Sequence, residues 1–134
     1  MTKHNSHVVL IIEDDADIRF GLAVILEDEG YTVVTAPNGR EALKYLREAP
    51  EPPCLILLDL MMPDMDGWQF RAEQRRDPAV ASVPVVVISA AADLQSRTAT
   101  LAAAAVMQKP IQIGTLLDLV RHFCPTAATR SLAL

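Results

Sequence analysis

The chain has 134 residues, 51% of them hydrophobic and 22% charged, with a formal charge of −5. That is the size of one domain around one buried core, and charges spread through the whole length mark it as globular and not disordered. A net acidic chain with scattered Lys and Arg is a poor match for nucleic acid, and neither a bilayer-spanning apolar run nor a signal-peptide core is present. The expectation is a cytoplasmic protein with no nucleic-acid partner and no membrane partner.

The first strand is predicted at Val8–Ile12, where VVLII is continuously apolar and β-branched. Ile18, Leu22, Ile25 and Leu26 then recur at i, i+4, i+7 and i+8, one helix face, with Gly30 placed to end it. A second strand follows over 32–35. Asn38 with Glu41 three residues on resembles a capping box and opens a helix carrying Ala42, Leu43 and Leu46. The third strand, 55–58, is LILL, and a helix runs from near Gly67 to before Pro78. Its Arg71, Arg75 and Arg76 read as a solvated helix face. A fourth apolar strand spans 83–88. The helix expected over about 93–101 has only Leu94, Thr98 and Leu101 on one face and is read as loosely packed. A weaker strand over 104–108 and a helix at Ile113–Phe123, with Ile113, Leu116, Leu117, Val120 and Phe123 on one face, complete the series. Residues 1–7 and 125–134 read as tails, the latter frayed and the former disordered, around a domain at 8–124. Cys54 and Cys124 lack CxxC spacing and lie in apolar segments, so they read as buried free thiols in a reducing compartment.

Strict alternation of strand and helix predicts a doubly wound α/β fold with a parallel sheet. Continuously apolar strands fit a sheet covered on both faces. Right-handed crossovers put every loop that follows a strand on the same sheet edge. The residues at those strand ends are therefore neighbours in space. They are Glu13, Asp14 and Asp15 after the first strand, Asp59 after the third, Ser89 after the fourth, and Lys109 with Pro110 after the fifth.

Each residue type has a physical task there. Clustered carboxylates need raised pKa values or a bound cation, and hard oxygen ligands suit Mg²⁺. A carboxylate attacking a phosphoryl group faces anion–anion repulsion. A divalent cation and the Lys109 ammonium offset it, while Ser89 can donate to a phosphoryl oxygen. Singly, the acids could be helix caps, the lysine a surface residue and the serine a turn residue. Asp15 is assigned to capping, and the joint placement of the others carries the functional reading.

Here VVLIIEDDADIR, LILLDLMMPDMDGW, VPVVVISA and MQKP resemble, in order, the motifs of response regulator receiver domains. The resemblance implies the flavodoxin-like strand order 2-1-3-4-5 and a phosphoacceptor at Asp59. It also implies Mg²⁺ held by Asp14, Asp59 and the Met61 backbone carbonyl, with Glu13 acting through metal-bound water. Ser89 and Lys109 correspond to the switch hydroxyl and the phosphate-binding lysine, Pro110 to a cis-proline, and Pro63 and Gly67 to the shaped turn after the acceptor. The implied phosphodonor is a histidine kinase or phosphotransfer protein, the downstream partner being undetermined. Such a chain is not an enzyme, although autophosphorylation from small phosphodonors and autodephosphorylation are expected. Two departures stand out. Val106 occupies the place of the family's usual switch aromatic, and Ala-rich sequence replaces the Gly-Ala pair before the fifth strand.

A haloacid-dehalogenase-like phosphohydrolase would want a second Asp where Met61 stands, and a flavodoxin-like carrier would want a phosphate loop where the acids stand. A pseudo-receiver acting only as an interaction module remains open, as does a receiver fragment of a hybrid histidine kinase. The single-domain form is the expectation, on the strength of the short flanks.

Overall fold

The computed structural model describes residues 7–90 and 101–125. Its strands are β1 (Val8–Ile12), β2 (Thr32–Ala36), β3 (Leu55–Asp59), β4 (Val85–Ser89) and β5 (Ala105–Gln108). Its helices are α1 (Ala16–Asp28), α2 (Gly39–Glu48), α3 (Gly67–Arg76) and α4 (Ile113–Phe123). All pairings are parallel, and the order across the sheet is β2-β1-β3-β4-β5. The doubly wound, flavodoxin-like topology follows. The helix expected over 93–101 and most of both tails lie outside the described residues.

Alternation along each strand divides the core into two layers. Leu10, Ile12, Ile56, Leu58, Val85 and Val87 face one side, where Ala42, Leu43 and Leu46 of α2 and Phe70 of α3 cover them. Val9, Ile11, Leu55, Leu57, Val86 and Ile88 face the other, under Leu22 and Leu26 of α1 and Leu116 and Val120 of α4. β3 and β4 are buried along their whole length, which is why their sequences show no polar alternation.

The helix ends obey local chemistry. The Asp15 carboxylate accepts from the Ile18 N–H at 3.0 Å, and Asn38 accepts from the Glu41 N–H at 2.9 Å. α3 carries a reciprocal capping box, with Asp66 accepting from the Gln69 N–H and Gln69 from the Asp66 N–H, both at 2.9 Å. Gly30 follows α1 with φ +97°, a backbone region that L side chains rarely adopt.

Three expectations need correction. The Arg71 side chain is not on a solvated face: the residue is buried. Its guanidinium donates to the Leu101 and Ala102 carbonyls at 2.8 and 3.0 Å and to the Gln74 amide oxygen at 2.7 Å. A cation in the middle of α3 finds there the backbone acceptors of the chain returning to β5, and only Arg75 and Arg76 stay exposed. Ile113 is 52% exposed although it shares the apolar stripe of α4: it stands at the first position of that helix, a turn before the buried Leu116. Cys54 and Cys124 are not free thiols but a disulfide. The last helix, α4, packs back on the sheet and ends beside the start of β3, bringing two cysteines far apart in sequence side by side.

Candidate functional site

At the carboxyl edge of the sheet the strand ends are locked to one another through backbone hydrogen bonds. The Glu13 N–H donates to the Ala36 carbonyl, Leu60 N–H to Ile88, and Lys109 N–H to Ser89, at 3.1, 3.2 and 2.9 Å. The loop after β3 folds back so that the Gly67 N–H reaches the Leu60 carbonyl at 2.9 Å. A Cβ on Gly67 would lie 2.8 Å from Leu60 Cα and 3.3 Å from the Asp59 carbonyl oxygen, so this return path has room only for hydrogen.

Within this frame Glu13, Asp14 and Asp59 each present a carboxylate oxygen, all within 4.8 Å of one another. Glu13 and Asp59 are buried and Asp14 is exposed. The Lys109 ammonium lies 3.1 Å from Glu13 Oε1 and 3.7 Å from Asp59 Oδ1. The other Glu13 oxygen accepts from the Asp15 N–H at 3.1 Å. Glu13 is thus engaged at both oxygens by the protein itself. Asp59 accepts from the Met61 N–H at 3.3 Å, and beyond that it shares one lysine with a second carboxylate.

The electrostatic result is visible at Asp59. Burial, above all, and then the Glu13 charge raise its pKa from 3.8 to about 7, with the Asp14 carboxyl adding to the rise. Lys109 and the Met61 N–H pull the other way without prevailing. Burial alone would lower the Lys109 pKa, but Glu13, Asp59 and Asp14 together raise it, so the side chain stays an ammonium. A carboxyl held near neutrality beside an open acidic rim has more negative charge around it than one lysine balances. A hard divalent cation fits that donor set, and the oxygen-only character of the cluster matches Mg²⁺.

Ser89 is fully buried at the end of β4, level with Gln108 on β5. The Lys109–Pro110 peptide is cis. Val106 lies on β5 and is 40% exposed, and Met61 is exposed in the loop after Asp59. The strand ends thus bring Glu13, Asp14, Asp59, Ser89 and Lys109 to one edge, while Asp15 turns away to cap α1. One residue the sequence reading passed over also serves here: Arg19 donates to the Glu13 carbonyl at 2.8 Å and to the Asp14 carbonyl at 3.3 Å, fixing the acidic loop from the first turn of α1. Its place one helical turn beyond the acids is the signal that would have found it.

A five-stranded parallel sheet in the order 2-1-3-4-5, with acids just after β1 and at the end of β3 and a lysine after β5, defines a receiver-type α/β module. The response regulator receiver domain family matches residues 9–121, and this chain belongs to that family. It is 36% identical over 119 residues to the "Uncharacterized 14.6 kDa protein in sodA1 3'region" of Leptolyngbya boryana, covering 87% of this chain and 88% of that one. It is 40% identical over 89 residues to the probable transcriptional regulator ycf27 of Guillardia theta, covering 66% of this chain and 33% of that longer protein. The structure of the Vibrio cholerae chemotaxis protein CheY4 superimposes with a TM-score of 0.79 at 28% identity, over 88% of this chain and 98% of that one. Among the described residues no helix is long and apolar enough to cross a membrane.

Proposed function

We propose that the chain, through its unit at 8–124, acts in the cytoplasm as a phosphoacceptor. Asp59 takes a phosphoryl group from a phosphohistidine of a histidine kinase or phosphotransfer protein, and the change alters binding to a downstream protein. The observation that supports this best is Asp59 itself: a buried carboxyl at a strand end, 3.7 Å from Lys109 and within 4.8 Å of two further acids. Asp14, Asp59 and the Met61 carbonyl would hold Mg²⁺, with Glu13 contributing through a bound water. The cation would supply positive charge to the phosphoryl oxygens and keep Asp59 ionised as a nucleophile. Lys109, already poised between Glu13 and Asp59, pairs with the phosphoryl oxygens as they gain charge. Ser89 supplies a hydroxyl from the neighbouring strand end. Transfer leaves an acyl phosphate on Asp59 and returns the donor imidazole with a proton. The product is the modified protein and not a released molecule, apart from slow self-hydrolysis.

Incubation with acetyl phosphate and Mg²⁺, followed by intact-mass measurement, tests this. The expected result is one added phosphate, removed by hydroxylamine and absent with EDTA or in Asp59→Asn. Labelling of Asp59→Asn at the level of the native chain would refute the acceptor assignment.

A further inference from the structure

At the sheet edge opposite the acidic cleft, Cys54 and Cys124 are joined, their Cα atoms 5.6 Å apart across a sequence separation of 70. Cys54 immediately precedes β3, whose far end carries Asp59, and Cys124 is the C-cap of α4. We propose that this pair is a reversible redox modification site, a staple between the last helix and the central strand that opens to dithiol reductants and closes with low-molecular-weight disulfides.

Three observations carry the proposal. The fold does not depend on the bond, because two apolar layers already enclose β3 and β4 completely. Crosslinks are the recourse of domains too small for such a core. The bond is approachable from one side: Cys124 is 1% exposed, but Cys54 is only partly buried and follows a segment with Glu51 and Pro52 exposed. The open form is also provided for. Cys54 Sγ lies 3.2 Å from the Val8 carbonyl, a distance with no proton to use in the disulfide but a hydrogen bond once the thiol is restored. The end of α4 keeps other ties, since the Tyr31 hydroxyl donates to the Cys124 carbonyl and Arg121 pairs with Glu29, both at 2.9 Å.

The exchange balances as follows. A reductant thiolate attacks Cys54 Sγ, the Sγ–Sγ bond breaks, and Cys124 leaves as a thiolate that takes a proton from water. The second thiolate of the reductant then attacks the reductant sulfur of the mixed disulfide and releases Cys54, which is protonated in turn. The protein gains two electrons and two protons, and the dithiol becomes a disulfide. Closure runs in reverse, with a small disulfide accepting the electrons and departing as two thiols.

The test treats the folded full chain with oxidised glutathione or dithiothreitol, reads its circular dichroism, removes the reagent in acid, and then counts thiols with N-ethylmaleimide in denaturant, which exposes the buried Cys124. No maleimide adduct should form after oxidised glutathione and two should form after dithiothreitol, with oxidised glutathione restoring protection and the circular dichroism of the folded state persisting through both treatments. Reduction should lower the melting temperature by roughly 10 °C, the expected scale for a loop of this length. It should also raise hydrogen exchange about tenfold in the last turn of α4, while β1 stays unchanged. Cys54→Ser and Cys124→Ser should each melt with the reduced form and ignore dithiothreitol. Two adducts after oxidised glutathione would show that the bond does not form. Protection that survives dithiothreitol would make it a permanent crosslink, and an unchanged melting temperature would rule out a staple. Asp59→Asn should respond as the native chain does, so the result stands apart from the phosphoryl reading.

Discussion

Replacing Asp59 with Asn should stabilise the metal-free protein at neutral and alkaline pH while leaving it unchanged near pH 4. The Asp59 carboxyl has a pKa of about 7 in the folded chain against 3.8 as its ordinary value. The folded state therefore binds more protons than the unfolded one between those limits, and stability falls as pH rises from about 4 through about 7. Each pKa step is worth about 1.4 kcal/mol, which sets a ceiling of about 4 kcal/mol on the penalty of ionised Asp59. The gain from Asn is smaller, because Lys109 loses its 3.7 Å contact with the carboxylate and keeps Glu13 alone. A net gain of about 2 kcal/mol follows, or roughly 7 °C in melting temperature for a chain of this length. Urea unfolding in EDTA at intervals from pH 4 to pH 8.5 measures it, the Asn curve flattening where the native curve declines. Equal stabilities at pH 8, or a native curve that rises across this window, would show that Asp59 is not the strained group inferred here. Adding Mg²⁺ should shrink the difference, since the cation offsets the same charge.

Asp14→Ala should weaken Mg²⁺ binding by roughly tenfold or more, whereas Asp15→Ala should cost less than about threefold, as read from the fluorescence of Trp68 at the start of α3. Equal losses would mean that the assignment within the acidic triplet is off by one. Gly67→Ala should destabilise the fold by about 2 kcal/mol, because its new methyl meets the Leu60 backbone at 2.8 Å as well as the Leu60 side chain, and the backbone cannot swing aside; a urea midpoint within error of the native value would contradict that. Lys109→Ala should impair the response to phosphorylation strongly, whereas Ser89→Ala should keep acetyl-phosphate labelling and lose much of the accompanying change in hydrogen exchange. If both variants lose labelling equally, Ser89 has a part in the chemistry itself.

What the sequence made legible follows from how local each determinant is. The first strand and last helix stand at Val8–Ile12 and Ile113–Phe123, the bounds read from apolar runs and periodicity, and the other described elements begin or end within about two residues of expectation. The acidic residues, Ser89 and Lys109 could be placed on one edge because parallel crossovers leave no other arrangement. Arg71 was misread because an Arg among other Arg residues looks solvated, and its acceptors lie 30 and 31 positions away. The disulfide was missed for the same reason: nothing near Cys54 announces Cys124. The Asp66–Gln69 capping box was within reach of pattern reading, since Asp caps helices as readily as Ser or Thr.

The Arg71 guanidinium also determines where mechanical freedom can reside. It clamps the carbonyls of Leu101 and Ala102 to α3, just before the chain re-enters the sheet, and Ala102 turns there with φ +51°. β5, and with it Lys109, starts from a fixed anchorage. Lys109, just past the far end of β5, is thus tied through one strand to α3, and a shift of α3 would reach the phosphate-binding edge through the two carbonyls that Arg71 holds.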